Sequence, residues 1–238
     1  MKYLGDVHVA ILAGGLGTRL ASVLPGQQKV IAKVKKRPFL EYILEQLDQA
    51  GFKNVVICTG YLGDQVIKAF GDKYKGLYLR YSKEQSPLGT AGAIVNALSY
   101  LKSENVLIIN GDSFCECNLQ SFYEFHLKKE ANASIILTAV SDTSRYGKVY
   151  VDESDQIVGF EEKGKSREPG LINGGIYLIN RSFIEEIPEG KAISIEKEVF
   201  PNWIGKGFYG YKGKHDFIDI GTPETYAQAE LFFSRFKL

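Results

Sequence analysis

The chain has 238 residues, 45% of them hydrophobic and 24% charged, the balance of a folded globular protein rather than a disordered tail or a fibre. Lys and Arg total 29 against 28 Asp and Glu, so the formal net charge is +1, which points away from nucleic acid or an anionic membrane as partner. Any anion this protein binds must therefore be held by a local site. No apolar run reaches the roughly 18 residues of a spanning helix. Residues 1–6 carry no apolar stretch ahead of a small-residue cleavage site, so a cytoplasmic protein is expected. Cys58, Cys115 and Cys117 are too few and too odd in number for a disulfide framework and lack partners for a zinc site, which suits reduced thiols in the same compartment.

In chain order, residues 7–13 form a short apolar run readable as a buried strand. Pro38 opens a helix whose Phe39, Leu40, Ile43, Leu44 and Leu47 share one face, with Gly51 as its stop. Strand-like runs at 54–60, 77–82 and 106–110 alternate with helical patterns at 64–70, closed by Gly71, and at 90–101. Strands alternating with helices predict βαβ units and a parallel sheet that takes its ligands at the strand carboxyl ends. After Asn118 the texture changes: a helix over 119–130, then strand-like segments at 134–140, 148–151, 157–161 and 172–179, then a helix over 223–236 capped by Thr222. With no linker or repeat, the chain reads as a single α/β domain over 1–238. About 1–118 form its alternating strand–helix half and about 119–238 a β-rich half.

The strongest local feature is Leu12-Ala13-Gly14-Gly15-Leu16-Gly17-Thr18-Arg19-Leu20, directly after the first strand. Its glycines let backbone N–H groups approach phosphate oxygens, and Arg19 offers a planar fork suited to phosphate. It lacks the Gly-Lys-Ser/Thr of a P-loop, and Leu20 stands where a dinucleotide fingerprint needs its third glycine. Taken alone, the segment leaves a plain glycine-rich turn as the minor alternative.

This signature resembles the opening of the sugar-1-phosphate nucleotidyltransferases, which join a sugar 1-phosphate to a nucleoside triphosphate and release pyrophosphate. The resemblance continues, in the family's order and over nearly the whole chain, at Lys29, Pro38-Phe-Leu-Glu41, Pro87-Leu-Gly-Thr-Ala-Gly92, Asn110-Gly-Asp112, Phe160-Glu-Glu-Lys163, Asn173-Gly-Gly-Ile-Tyr177 and Asp219-Ile-Gly-Thr-Pro223. It implies a Rossmann-like three-layer αβα fold with a mixed, mainly parallel central sheet and a β-rich sugar-binding lobe. Leu12, Ala13, Gly14, Gly15, Gly17 and Thr18 are then expected at the nucleotide, with Arg19, Lys29 and Asp112 catalytic. Lys29 matches the family's Pro-Lys-Pro lysine, but Gln28 and Val30 replace both prolines, which puts the rigidity of that loop in question.

Asp112 and Asp219 are implied as the holders of Mg²⁺, a hard cation that takes one or two carboxylates plus phosphates. A turn-forming Asp112 is the bland alternative. At the base, Glu84, Gln85, Pro87, Gly89 and Thr90 are expected. A glutamine reads the pyrimidine near this point in related thymidylyltransferases; here the position falls on Glu84. A carboxylate accepts and does not donate, which matches the adjacent N1–H and N2–H₂ donors of guanine and mismatches thymine and uracil. Glu84 facing solvent is the competing reading. Asn110, Tyr146, Gly147, Glu161, Lys163, Asn173 and Gly174 match sugar-side positions, although a charged strand end would equally explain Glu161-Glu162-Lys163.

The blocks at 171–177, 194–201 and 217–226 resemble D-glycero-α-D-manno-heptose 1-phosphate guanylyltransferases, with Ser194-Ile-Glu196 the most telling. The resemblance thus implies GTP and a sugar 1-phosphate as substrates, for surface polysaccharide biosynthesis. Mannose 1-phosphate guanylyltransferase and glucose 1-phosphate thymidylyltransferase are the nearest rivals. A metal-dependent glycosyltransferase would show Asp-x-Asp where Asp112-Ser-Phe114 stands, and a nucleotide-sugar sensor would have lost the cations and carboxylates retained here. His126 reads as a surface or core residue rather than a catalytic one, and Trp203 as core or interface rather than part of a cofactor box. The sequence leaves the oligomeric state open, a homodimer included.

Overall fold

A computed structural model describes residues 3–164 and 167–236; Met1 and Lys2, the start of the segment read for a leader, lie outside the described residues. The strands are β1 (His8–Ala13), β2 (Lys33–Val34), β3 (Arg37–Pro38), β4 (Asn54–Thr59), β5 (Lys73–Tyr74), β6 (Leu77–Lys83), β7 (Asn105–Asn110), β8 (Ser113–Cys115), β9 (Ala133–Val140), β10 (Lys148–Val151), β11 (Ile157–Glu161), β12 (Gly170–Asn180), β13 (Phe208–Gly213) and β14 (Phe217–Asp219). The helices are α1 (Phe39–Ala50), α2 (Gly63–Phe70), α3 (Gly89–Asn96), α4 (Leu119–Lys128), α5 (Arg181–Glu185), α6 (Phe200–Trp203) and α7 (Pro223–Ser234).

Eight strands form one sheet in the order β13-β9-β12-β7-β1-β4-β6-β5. β1 pairs in parallel with β4 and β7, β4 with β6, and β13 with β9; β12 runs antiparallel to β7 and β9, and β5 to β6. The sheet is mixed and mainly parallel, as expected. β1 shows why both faces must be covered. Val9, Ile11 and Ala13 join the core against α1, α2, α4 and α7, while Ala10 joins the core against α3, α5 and α6. Such continuous apolar strands are stable only between two helical layers.

The β-rich half does not form a separate sheet. β9, β12 and β13 extend the central one, and only the β10–β11 hairpin and the β8–β14 ribbon stand off it. β13 was not expected from the sequence, because Gly210 and Gly213 break its apolar pattern. Gly210 leaves room for a close neighbour: a Cβ would lie 2.4 Å from Leu137 Cδ1, and the leucine would have to shift. The third helix ends at Asn96, short of the expected 101, and continues as turns to Tyr100.

His126 and Trp203 are both buried in the core, which decides between the alternatives the sequence left open for each. The His126 ring lies between Ser134 Oγ at 2.8 Å and Asn105 Oδ1 at 3.1 Å. All three cysteines are free thiols, and burial pushes the Cys58 thiol up to about 12. Among the described residues, no helix is long and apolar enough to cross a membrane.

Candidate active site

The carboxyl ends of β1, β4, β6 and β7 lie at one edge of the sheet, where an α/β fold places its ligands. A cavity of about 830 Å³ opens there. Because β12 runs the other way, it delivers its amino-terminal half, with Asn173, to the same edge.

Leu12, Ala13, Gly14, Gly15 and Arg19 line this cavity; Gly17 and Thr18 do not. Gly17 is instead a backbone device. Its φ of 63° turns the chain into the 3₁₀ turn Thr18–Leu20 that carries Arg19. Gly15 faces open space, so its backbone is bare to an incoming oxygen. Gly14 has a different reason: a Cβ there would lie 2.4 Å from Glu84 Oε1.

Lys29 and Asp112, 83 residues apart in sequence, form a hydrogen-bonded ion pair, and both line the cavity. The concern over the missing prolines is answered by Gln28, a residue whose part sequence reasoning missed. Its side chain is buried, donates to Ala13 O at 2.6 Å and accepts from Val30 N–H at 2.7 Å, while its own N–H donates to Gln65 Oε1 at 2.9 Å. Hydrogen bonds thus tie the lysine loop to the glycine loop where ring rigidity would otherwise do so. The one signal for this in the sequence is the substitution itself.

Asp219 reaches the cavity on the β8–β14 ribbon, where it pairs with Ser113, and the Ile220 N–H donates to Asp112 O at 2.9 Å. The ribbon therefore brings together two aspartates about a hundred residues apart in sequence. Asp219 Oδ1 accepts from Gly221 N–H at 2.8 Å, and Oδ2 accepts from Tyr146 O–H at 2.8 Å. Arg145, also missed, places Nη2 3.6 Å from Oδ2 and lines the cavity. Burial, then the Asp219 charge, holds the Tyr146 hydroxyl well above its ordinary range, so Tyr146 stays a donor.

At the base end Glu84, Pro87, Gly89 and Thr90 line the cavity, while Gln85 is exposed outside it. Glu84 does not face bulk solvent. It is half-buried against Gly14 and Gly60, and Oε2 accepts from Leu88 N–H at 3.0 Å. Burial raises its carboxyl above the usual range. The Gly-Thr-Ala-Gly block also packs: a Cβ on Gly89 would lie 2.5 Å from Ile193 O, and Thr90 Oγ1 accepts from Ile195 N–H at 2.8 Å.

On the far wall lie Asn110, Tyr146, Gly147, Glu161, Lys163 and Asn173. Glu161 accepts from Tyr150 O–H at 2.6 Å, and Gly147, at φ 78°, lets the chain pass where a Cβ would lie 2.4 Å from Glu161 O. Gly174 does not line the cavity. With Gly175 it forms a bulge on β12 against β9, and a Cβ on it would meet Ile136 O at 3.1 Å. Glu196 and Lys197 join this wall, although no site residue was expected there.

The nucleotidyl transferase family model matches residues 8–235. The chain belongs to the nucleotidyl transferase family. It is 38% identical over 225 residues to the D-glycero-α-D-manno-heptose 1-phosphate guanylyltransferase of Aneurinibacillus thermoaerophilus, covering 94% of this chain and 97% of that one. To the enzyme of the same name from Campylobacter jejuni it is 37% identical over 221 residues, covering 92% and 97%. The fold matches the crystal structure of HddC from Yersinia pseudotuberculosis with a TM-score of 0.86 at 34% identity, covering 95% of this chain and 99% of that one. It matches the same protein complexed with GMP-PN at 0.85 and 33% identity.

As a nucleotidyl transferase it has a donor set that can be tested for a metal. Among the described residues no three His, Cys, Asp or Glu side chains cluster to hold an ion by themselves. Asp112 and Asp219 give two hard carboxylates on a cavity wall that also carries Arg19, Lys29 and Arg145. This fits Mg²⁺, which keeps its waters and is shared with substrate phosphates, and does not fit an all-protein cage.

Proposed function

We propose that this nucleotidyl transferase moves GMP from GTP to a sugar 1-phosphate, D-glycero-α-D-manno-heptose 1-phosphate, giving a GDP-sugar and pyrophosphate. The observation that carries the reading is that one cavity joins the glycine loop, the Lys29–Asp112 pair and a hydroxyl- and amide-rich far wall. Its volume is within the range of small-molecule sites.

The acceptor's phosphate oxygen attacks the α-phosphorus in line, and the bond to the β-phosphate oxygen breaks. No enzyme nucleophile is needed; positioning and charge stabilisation suffice. Gly14 and Gly15 present backbone to the triphosphate, and Arg19 and Lys29 offset its charge. Lys163, without an ion pair among the described residues, faces the sugar phosphate from the other wall. Asp112 and Asp219 would hold Mg²⁺, which neutralises phosphate charge when bound. Glu84 reads the guanine N–H donors as a carboxylate. The free thiols suit a cytoplasmic enzyme, and the GDP-sugar would supply glycosyltransferases of surface polysaccharide assembly.

The test is pyrophosphate release from four nucleoside triphosphates against heptose, mannose and glucose 1-phosphates, with and without Mg²⁺. GTP with the manno-heptose is expected to give the highest kcat/KM. Preference for dTTP and glucose 1-phosphate overturns the reading.

A further inference from the structure

The Ser194-Ile-Glu196 block lacks a physical role in the reaction as described. It lies in a π-helical turn, Ile195–Val199, an element common at functional sites. The turn is held from both sides. Ser194 Oγ accepts from Lys197 N–H at 3.2 Å, and Ile195 N–H reaches Thr90 Oγ1. Glu196 is thereby presented on the cavity wall rather than on a mobile loop.

Its carboxylate is divided in use. Oε1 accepts from Tyr177 O–H at 3.0 Å and from Asn173 Nδ2 at 3.1 Å. Tyr177 is fully buried, and its oxygen also accepts from Asn173 Nδ2 at 2.8 Å and Asn110 Nδ2 at 3.3 Å. The tyrosine's proton is thus committed to Glu196. Asn173 is oriented in turn, because its Oδ1 accepts from Gly175 N–H at 2.8 Å. These contacts fix the carboxylate by one oxygen, and no described protein group donates to Oε2.

We propose that Glu196 Oε2 accepts a hydrogen bond from a ring hydroxyl of the sugar 1-phosphate, making Glu196 a specificity-determining residue. The inference rests on the functional reading above. Asn173 and Tyr177 donate to Oε1, so Oε2 is the acceptor left for a ligand hydroxyl. An acceptor so held favours a sugar with a hydroxyl donor at that point and rejects one without it.

Glu196→Gln tests this directly. Asn173 and Tyr177 require an acceptor on their side, so the amide oxygen faces them and the NH₂ replaces the acceptor on the cavity side. With GTP, E196Q is expected to raise the KM for the sugar 1-phosphate roughly tenfold or more. The KM for GTP and the melting temperature should stay as in wild type, which a merely structural role would not allow. The second arm uses 2-, 3- and 4-deoxyfluoro mannose 1-phosphates, which keep size and lose one donor each. Wild type should discriminate against one of them, and E196Q should lose that discrimination. An unchanged sugar KM in E196Q, or equal analogue penalties in both enzymes, overturns the proposal. Wild type releasing no pyrophosphate from any sugar 1-phosphate overturns the functional reading, and this inference with it.

Discussion

Two side chains form the central ion pair of the cavity and carry the charge balance proposed for the reacting phosphates. Lys29 is largely buried and paired with Asp112, so each offsets the cost of placing the other in the cavity. Asp112→Asn keeps the shape and removes the charge that orients Lys29. It is expected to lower kcat at least about a hundredfold while the Kd for GTP changes much less. Near-wild-type turnover at limiting Mg²⁺ would remove Asp112 from the site. Gln28 belongs to the same scale. Gln28→Ala deletes the bonds to Ala13 O and Val30 N–H, and the lost pairing should cost about 1–3 kcal/mol in urea unfolding, with a higher KM for GTP. Glu84 gives a pH dependence of known sign. Burial raises its carboxyl, so as pH falls it protonates earlier than an ordinary carboxylate, and the guanine recognition proposed for it weakens first. The KM for GTP should therefore rise on acidification, and Glu84→Gln should flatten that rise.

At the level of elements, the site depends on segments that approach too closely for a side chain. Gly89 has φ 68° and its missing Cβ makes room for Ile193 O, with the Ala91 N–H donating to that same oxygen at 2.9 Å. Gly89→Ala combines left-handed strain with displacement of the 193–196 segment. It should cost about 2 kcal/mol or more and raise the sugar KM together with the GTP KM. Helix α7 is stabilised at its start by the reciprocal Thr222–Thr225 capping box and at its end by Phe232 and Phe233 packing against α1 and β8. The cap was legible in the sequence, because Thr before Pro and an acidic first turn is a local signal. The β8–β14 ribbon was not. Each of its strands has only three residues, and their pairing joins positions about a hundred apart, which periodicity does not record.

On the scale of the whole molecule, a buried histidine ties stability to pH. His126 lies between α4 and the sheet, and burial lowers its pKa to about 4 from the ordinary 6.5. Between those values the unfolded chain binds a proton that the folded one does not, so stability rises with pH across that window. The contribution is complete above about pH 6.5 and is lost as pH falls toward 4, on the order of 3 kcal/mol at most. Denaturant titrations at pH 4.5 and 7 should show the difference, and His126→Gln should reduce it.

The sequence by itself determined the parallel βαβ core and the strand-end glycine loop, and most of the residues it singled out line the cavity. These are local signals: apolar runs of strand length, helix faces, caps, and motif blocks whose order survives in one chain. It also named Lys29, Asp112 and Asp219 without showing that they meet. Only the tertiary structure decided that β9, β12 and β13 extend the main sheet, that Gln28 takes over from the prolines, and that Gly17, Thr18, Gln85 and Gly174 lie off the cavity wall. Glu196 is the plainest case. Nothing local distinguishes it from Glu198, two residues on, whose carboxylate caps Ser194 N–H. Its position opposite Tyr177 follows from an antiparallel strand, a double-glycine bulge and a turn stitched to α3, and those long-range pairings bring Glu196 to Tyr177.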